Sequence, residues 1–300
     1  MLTPVSRGTA AVLSAATGHF NRRRLLVLAY HGVDDAEAFS RQMEYLVSRW
    51  RPVSLSEVHR SIRTGVALPP RSMLVTFDDG DRTVLEVGAP VMRRLGIAAA
   101  LFVITDLIGG DEPFWWDEVA ALVAAGGRTP VATLDGPDLV RYLKTVPDSE
   151  RRRVIDELRA SARCAAPRRS HLRADELRRL EEMGVAIGSH TASHPCLDRC
   201  DEDVITRELT DSRNHLEVVL GHEVRSLAYP NGNVSPLVER LAAEAGYEVA
   251  FGFDHRVSAN PAPDPLSVSR VRVDSAQGLT RFRLLASGAH PTLHRLRGRG

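Results

Sequence analysis

Four short polar stretches each follow an apolar run: YHG (Tyr30 to Gly32), FDDG (Phe77 to Gly80), GSHTASHP (Gly188 to Pro195) and YPNG (Tyr229 to Gly232). His190 and His194 stand four residues apart, and two neutral imidazoles at that spacing can face one cation on a helical turn or compact loop. Pro195 stops any helix behind them. Asp78 and Asp79 are adjacent, and successive side chains at a strand end diverge. One carboxylate can therefore complete a two-histidine, one-carboxylate ligand set while its neighbour takes a proton from water. Such a set leaves room for water, whose pKa the ion lowers toward neutrality, and the cation relieves the repulsion between the two acids. The chemistry would be metal-assisted hydrolysis. Plainer readings stand beside it: a D-D-G turn capping the next helix, and an HxxxH pattern that is only surface polarity.

Apolar runs alternate with segments of helical period around these stretches, the pattern of a parallel α/β fold. The strands read as Leu25 to Tyr30, Ser72 to Phe77, Ile97 to Ile104, Val185 to His190, Ser226 to Pro230, Tyr247 to Phe253 and Leu266 to Val273. Between them come a helix carrying Phe39, Met43, Leu46, Val47 and Trp50, and a second opened by the capping box of Ser54 and Glu57. Further helices run over Thr83 to Leu95, closing on Gly96, over Asp175 to Met183, over Asp203 to Leu220, up to Ala245, and over Leu279 to Ala286. About seven such units predict a distorted (β/α) barrel of parallel strands, with an open doubly wound sheet as the alternative. In either case functional groups gather at the carboxyl ends of the strands, where the four polar stretches lie.

The repeat is lost over about 105–173, which reads as a helical insertion or lid holding Trp115 and Trp116. Exposed aromatics there would stack on sugar rings, or else form a cluster that pins the lid. The organisation expected is an extension over 1–23, one catalytic unit over 24–290, and a flexible tail over 291–300. His59, His171, His215, His222 and His255 read as surface residues. Cys196 and Cys200, close behind His194, lack the tight pairing of zinc–thiolate sites.

Composition narrows the class rather than the chemistry. A formal net charge of +1 over 300 residues gives no global field toward nucleic acid or an anionic membrane. Lys144 is the one lysine, and the arginine excess reads as compositional bias. Three cysteines without C-x-x-C spacing support no disulfide framework. The first twenty residues are too mildly apolar for a secretory core or a membrane span. A cytoplasmic protein without a transmembrane segment is expected, with peripheral attachment to a membrane left open.

TFDDG, then HTxxHP after a Gly-Ser step, then YPNG, in this order, resembles the polysaccharide deacetylases, carbohydrate esterase family four. The resemblance runs from about Arg24 to Val273. It implies a distorted (β/α) barrel that removes acetyl groups from N-acetylated sugars, with Asp78 as general base and Asp79, His190 and His194 as metal ligands. AYPNG is similar to the family's R-x-P-x-G motif, with Ala228 where the arginine would stand. By the resemblance the backbone N–H of Asn231 helps hold the oxyanion, with Tyr229, Pro230 and Gly232 forming the substrate-side turn. Arg270 or Arg272 could replace the missing arginine, although each reads more simply as a sheet-edge ion pair. LAYHGV resembles the first strand of a circularly permuted subgroup whose general-acid histidine comes first in the chain, which makes His31 the acid. LASGAHP, with His290, matches the family's last motif poorly.

The implied cofactor is a divalent metal, zinc first, with cobalt, nickel and iron accepting the same ligands. The implied partner is an N-acetylated polysaccharide, oligosaccharide or glycolipid. Two rivals remain: a catalytically silent carbohydrate-binding protein of the same fold, and a metal-dependent hydrolase of another bond.

Overall fold

A computed structural model describes residues 24–131 and 135–287; the expectations for 1–23, His290 and 291–300 lie outside these. Seven strands run parallel: β1 (Arg24–Tyr30), β3 (Ser72–Phe77), β4 (Ala99–Val103), β5 (Val185–Ser189), β6 (Ser226–Ala228), β7 (Val249–Phe251) and β9 (Val271–Arg272). Their spatial order is β7-β6-β5-β4-β3-β1, with β9 against the end of β1. Two short strands complete the sheet: β2 (Arg51–Pro52) along the start of β3, and β8 (Ser258–Ala259) antiparallel to the start of β1. A lone parallel bridge joins Phe251 to Val268, so the segment 268–272 crosses from β7 to β1 and curls the sheet into the expected distorted α/β barrel.

Alternation along the strands sorts side chains into two layers. Leu25 and Val27 of β1, Leu74 of β3, Ala100 and Phe102 of β4, Ala228 of β6, and Phe251 of β7 pack together inside the barrel. Leu26, Leu28, Tyr30, Met73, Val75, Phe77 and Leu101 point the other way, into a larger cluster shared with the helices. Both faces of the strands are thus covered, which is why they read as unbroken apolar runs. Full burial of each such side chain contributes about 1.5–3 kcal/mol.

The helices cover the outside. They are α1 (Ala36–Val47), α2 (Leu55–Thr64), α3 (Ala89–Arg94), α4 (Trp115–Ala124), α5 (Gly136–Leu143), α6 (Asp148–Ser161), α7 (Ala174–Glu182), α8 (Glu202–Leu220), α9 (Pro236–Glu244) and α10 (Leu279–Ala286). The capping box opens α2 as expected: Ser54 Oγ accepts from the Glu57 amide and Glu57 Oε2 accepts from the Ser54 amide. The helix expected over 83–95 instead begins as a π turn, Val84–Gly88, before α3. Pro90 explains the break, since it can donate no bond to the preceding turn.

The last strand, expected over Leu266 to Val273, pairs regularly only at Val271 and Arg272. A chain that must pass from one barrel edge to the other cannot stay in register with either. Between β4 and α7 lie three helices, α4 to α6, with their own apolar cluster of Trp115, Val119, Leu122, Leu139, Leu143, Val154, Ile155 and Leu158. No helix among the described residues is long and apolar enough to cross a membrane.

Candidate active site

Asp78 continues the interior face of β3, two residues beyond Thr76. Asp79 would point to the opposite face, but its backbone is left-handed (φ 67°), as is that of Gly80 (φ 82°). The reversed turn swings both carboxylates into one cavity. Of six non-glycine residues with positive φ among those described, four lie here: Asp79, Thr191, His194 and Asn231. Each costs about 1–2 kcal/mol in backbone strain, the sort of cost retained where side-chain direction matters.

The cavity has a volume of about 290 Å³ and is lined by His31, Asp78, Asp79, Trp116, Val140, Lys144, His190, His194, Asn231, Phe253 and Arg272. A larger concavity, about 400 Å³, lies at the opposite ends of the strands. There His59 Nε2 lies 2.6 Å from Ser226 Oγ. His59 is therefore half-buried and partnered rather than a surface residue, and His171, also expected at the surface, is buried with Nε2 2.6 Å from the Glu112 carbonyl.

Asp79 Oδ1 lies 3.4 Å from His190 Nε2 and 3.5 Å from His194 Nε2. The three ligand atoms lie within 4.8 Å of one another, and all three residues are buried. His190 Nδ1 is 2.7 Å from the Ala228 carbonyl, so Nδ1 carries the hydrogen and the Nε2 lone pair faces Asp79. Two acceptors then face each other, and Asp79 Oδ1 has no hydrogen-bond partner among the described residues. A cation resolves this, and a carboxylate with two imidazoles is a donor set that suits a divalent metal.

Burial pushes the Asp79 carboxyl up, but the facing imidazoles of His190 and His194 outweigh it and hold it well below the usual carboxylate range. Burial and the charge of His190 push His194 down to about 3, leaving it neutral and able to ligate. Burial would lower His190, yet the charges of Asp78 and Asp79 raise it overall.

The loop bearing the histidines is held by Glu208 of α8, whose buried carboxylate accepts from the amides of Ala192 (2.9 Å) and Ser193 (2.8 Å). The insertion clamps the other side. Trp115 Nε1 donates to the His194 carbonyl at 3.2 Å, and the Trp116 ring sits 4.7 Å from the His194 ring. Trp115 is turned into the insertion's core beneath the Arg151 guanidinium, so the pinning-cluster reading describes it. Trp116, stacked on Phe114 at 4.8 Å, is the one of the pair that lines the cavity.

Asp78 is held by Arg270. Both nitrogens of the fork donate, Nη1 to Oδ1 at 2.7 Å and Nη2 to Oδ2 at 2.8 Å, while Nε donates to the Gly252 carbonyl. Arg270 is fully buried, its guanidinium 5.7 Å from Phe102 and 5.4 Å from Phe253. The sheet-edge ion pair expected for it is corrected: this segment crosses the barrel, and residue 270 faces its interior. Burial raises the Asp78 carboxyl, but the Arg270 charge overrides it and the net shift is downward. Arg272, two residues on along the same face, lines the cavity and has no ion pair among the described residues, so the expected edge ion pair fails there too.

Of the turn after β6, Asn231 alone lines the cavity. Tyr229 is fully buried in the outer core and Pro230 is also buried. Gly232 (φ 73°) passes so close to Phe253 that a Cβ would meet its Cβ at 2.3 Å. These three shape the turn rather than offer a surface to substrate, which corrects their placement at the substrate side. His31 stands exposed at the cavity mouth, edge-on to Phe253. Lys144 was missed from sequence, although its being the one lysine was a signal. Its Nζ donates to Asn231 Oδ1 at 2.6 Å. Burial pushes the Cys196 thiol up and the Cys200 thiol to about 12, so both stay protonated and poor as ligands.

A family model described as polysaccharide deacetylase matches residues 65–250. The fold is similar to the Streptococcus pyogenes deacetylase PplD in complex with acetate, at 18% identity and a TM-score of 0.62, covering 88% of this chain and 98% of that one. It is also similar to IcaB from Ammonifex degensii, at 20% identity and a TM-score of 0.62, covering 89% and 97%. A third likeness is to a de-N-acetylase from Aggregatibacter actinomycetemcomitans, at 17% identity and a TM-score of 0.61, covering 87% and 99%. A search of curated proteins found no significant match.

Proposed function

The chain belongs to the polysaccharide deacetylase family, and on that premise we propose that it hydrolyses the acetamide of an N-acetylated glycan or glycolipid in the cavity above β1, β3, β5 and β6. The observation that carries this reading is the meeting of Asp79, His190 and His194 around one point beside the Arg270-held Asp78. Asp79, His190 and His194 would hold a divalent cation, zinc first. When bound, the ion supplies Lewis-acid polarisation of a carbonyl and acidifies water. Asp78, kept ionised by Arg270, takes the proton of the attacking water. The left-handed Asn231 offers its backbone N–H to the developing oxyanion. His31, at the mouth, protonates the nitrogen that leaves as the sugar amine.

The test is acetate release from N-acetylglucosamine oligomers. We expect a chelator to abolish it and zinc to restore it; a chain that binds these sugars without releasing acetate would instead be the silent relative. His31→Ala is expected to lower kcat by about 10²–10⁴-fold with metal content unchanged, measured by acetate assay and elemental analysis. Full activity would remove it from the mechanism. Glu208→Ala releases the amides of 192 and 193, and metal affinity is expected to fall about 10–100-fold, read by titrating metal into the chelated protein.

A further inference from the structure

Among 39 lysine and arginine residues Lys144 is the single lysine, and it stands at the end of α5 with its amine in the cavity wall. Its Nζ bonds the neutral Asn231 side chain, and it has no carboxylate partner among the described residues. Arg272 lines the same cavity, its guanidinium 5.9 Å from the Phe253 ring and likewise without an ion pair. Several arginines elsewhere are matched to acids, as Arg82 is to Glu176 and Arg213 to Glu217. Within the cavity Asp78 is taken by Arg270, and Asp79 faces the two imidazoles.

The charges are also sorted by side. A neighbouring recess of about 230 Å³ shares His31, Asp79 and Trp116, but its other polar residues are Asp81, Asp117 and Arg169, the last paired with Asp81. Excess positive charge lies only toward Lys144 and Arg272. Burial pulls the Lys144 amine down; Cys196 and the Asp79 carboxylate oppose this, and the charge of Arg272 adds to it. Two cations near each other with no acid bonded to either gain when an anion sits between them. A point-like ammonium and a planar guanidinium both suit an oxyanion.

We infer that Lys144 and Arg272 form a subsite for an oxyanion, phosphate or carboxylate, carried beside the reacting acetamide, so that the substrate is an anionic N-acetylated sugar. The sugar part of this inference rests on the deacetylase reading; the anion subsite does not.

A single lysine makes the subsite readable without turnover. The chelated protein is treated with an amine-acylating reagent, and modification of Lys144 is followed by peptide mass. N-Acetylglucosamine 1-phosphate is expected to slow it at least tenfold, whereas N-acetylglucosamine leaves it unchanged. N-Acetylmuramic acid, a carboxylate, tells the two oxyanions apart. In the metal-loaded enzyme, kcat/KM for the anionic sugar should exceed that for its neutral counterpart at least tenfold. That ratio should collapse toward one in the folded double variant Lys144→Gln/Arg272→Gln and persist in Lys144→Arg. Equal protection by charged and neutral sugars overturns the inference. So does a double variant whose two rates fall together at an unchanged ratio, which would leave Lys144 only the task of holding Asn231. Protection without acetate release keeps the subsite and sinks the deacetylase reading, whereas acetate release from neutral glycans without protection does the reverse.

Discussion

Asp78→Asn is expected to abolish acetate release, by about 10³-fold or more in kcat, while the protein still binds one divalent ion per chain. The amide keeps the shape and one acceptor for Arg270, so the barrel interior is disturbed mainly through charge. It cannot take a proton from water, and it leaves the Arg270 guanidinium buried opposite a neutral group. A loss of stability of about 1–3 kcal/mol should accompany the substitution, so activity is compared at a temperature where both proteins are folded. Asp79→Asn should behave differently. Its Oδ1 sits 3.4 and 3.5 Å from the two imidazoles, and its replacement should lose the ion together with activity. The pair separates the two acids by metal content, measured by elemental analysis after equilibrium dialysis. If Asp78→Asn loses the ion and Asp79→Asn keeps it, the two roles are exchanged.

That adjacent acids can reach one cavity depends on backbone geometry the sequence carries only in part. Gly80 marks a turn, but D-D-G alone does not say that Asp79 itself turns left-handed (φ 67°). The strands were legible because both faces are covered, leaving continuous apolar runs at Leu25 to Tyr30 and Ser72 to Phe77. Their carboxyl ends were legible for the same reason, since each run stops abruptly at a polar residue. What lies between elements was not. The R-V-R-V alternation of Arg270 to Val273 says that the arginines share a face, yet not whether that face meets solvent or the barrel interior. Only the crossing of 268–272 from β7 to β1 decides it. Lys144 is similar: α5 has an ordinary helical pattern, and nothing local places its end over the turn after β6. The anchoring of the histidine loop by Glu208 joins residues that fall some fifteen positions apart, so no short motif contains both.

Ala228 shows how the same task can move within a barrel. It faces the interior among Phe102, Phe251 and Val268, the space toward which Arg270 reaches from another strand. An arginine at 228 and one at 270 would bring two buried cations to one carboxylate, and desolvating the second would have no compensation. Only one of the two positions can carry the charge. In this chain it is the last strand, so the neutral residue on β6 follows from the fork at Arg270 rather than from a loss of function.

Arg270→Met is therefore expected to be the most damaging single change to stability. It leaves the Asp78 carboxylate buried without its fork, at a cost of about 3–5 kcal/mol. The pH dependence follows from the same contact. Burial raises the Asp78 pKa and Arg270 more than offsets it, so the folded-state value lies below the unfolded one. Its contribution to stability is complete above the unfolded pKa and is lost as pH falls through the folded one. Without Arg270 only the raising influence of burial remains opposed by weaker charges, so the acid limb of the kcat/KM profile should move to higher pH, and activity at neutral pH should fall as the base becomes protonated. Arg270→Lys, which keeps a charge but not the fork, should recover part of both. The double variant Asp78→Asn/Arg270→Met should unfold at a higher temperature than Arg270→Met alone, because no buried charge is stranded, while remaining inactive. If the two stability losses instead add, the fork is a surface-like contact and Asp78 is held by something else.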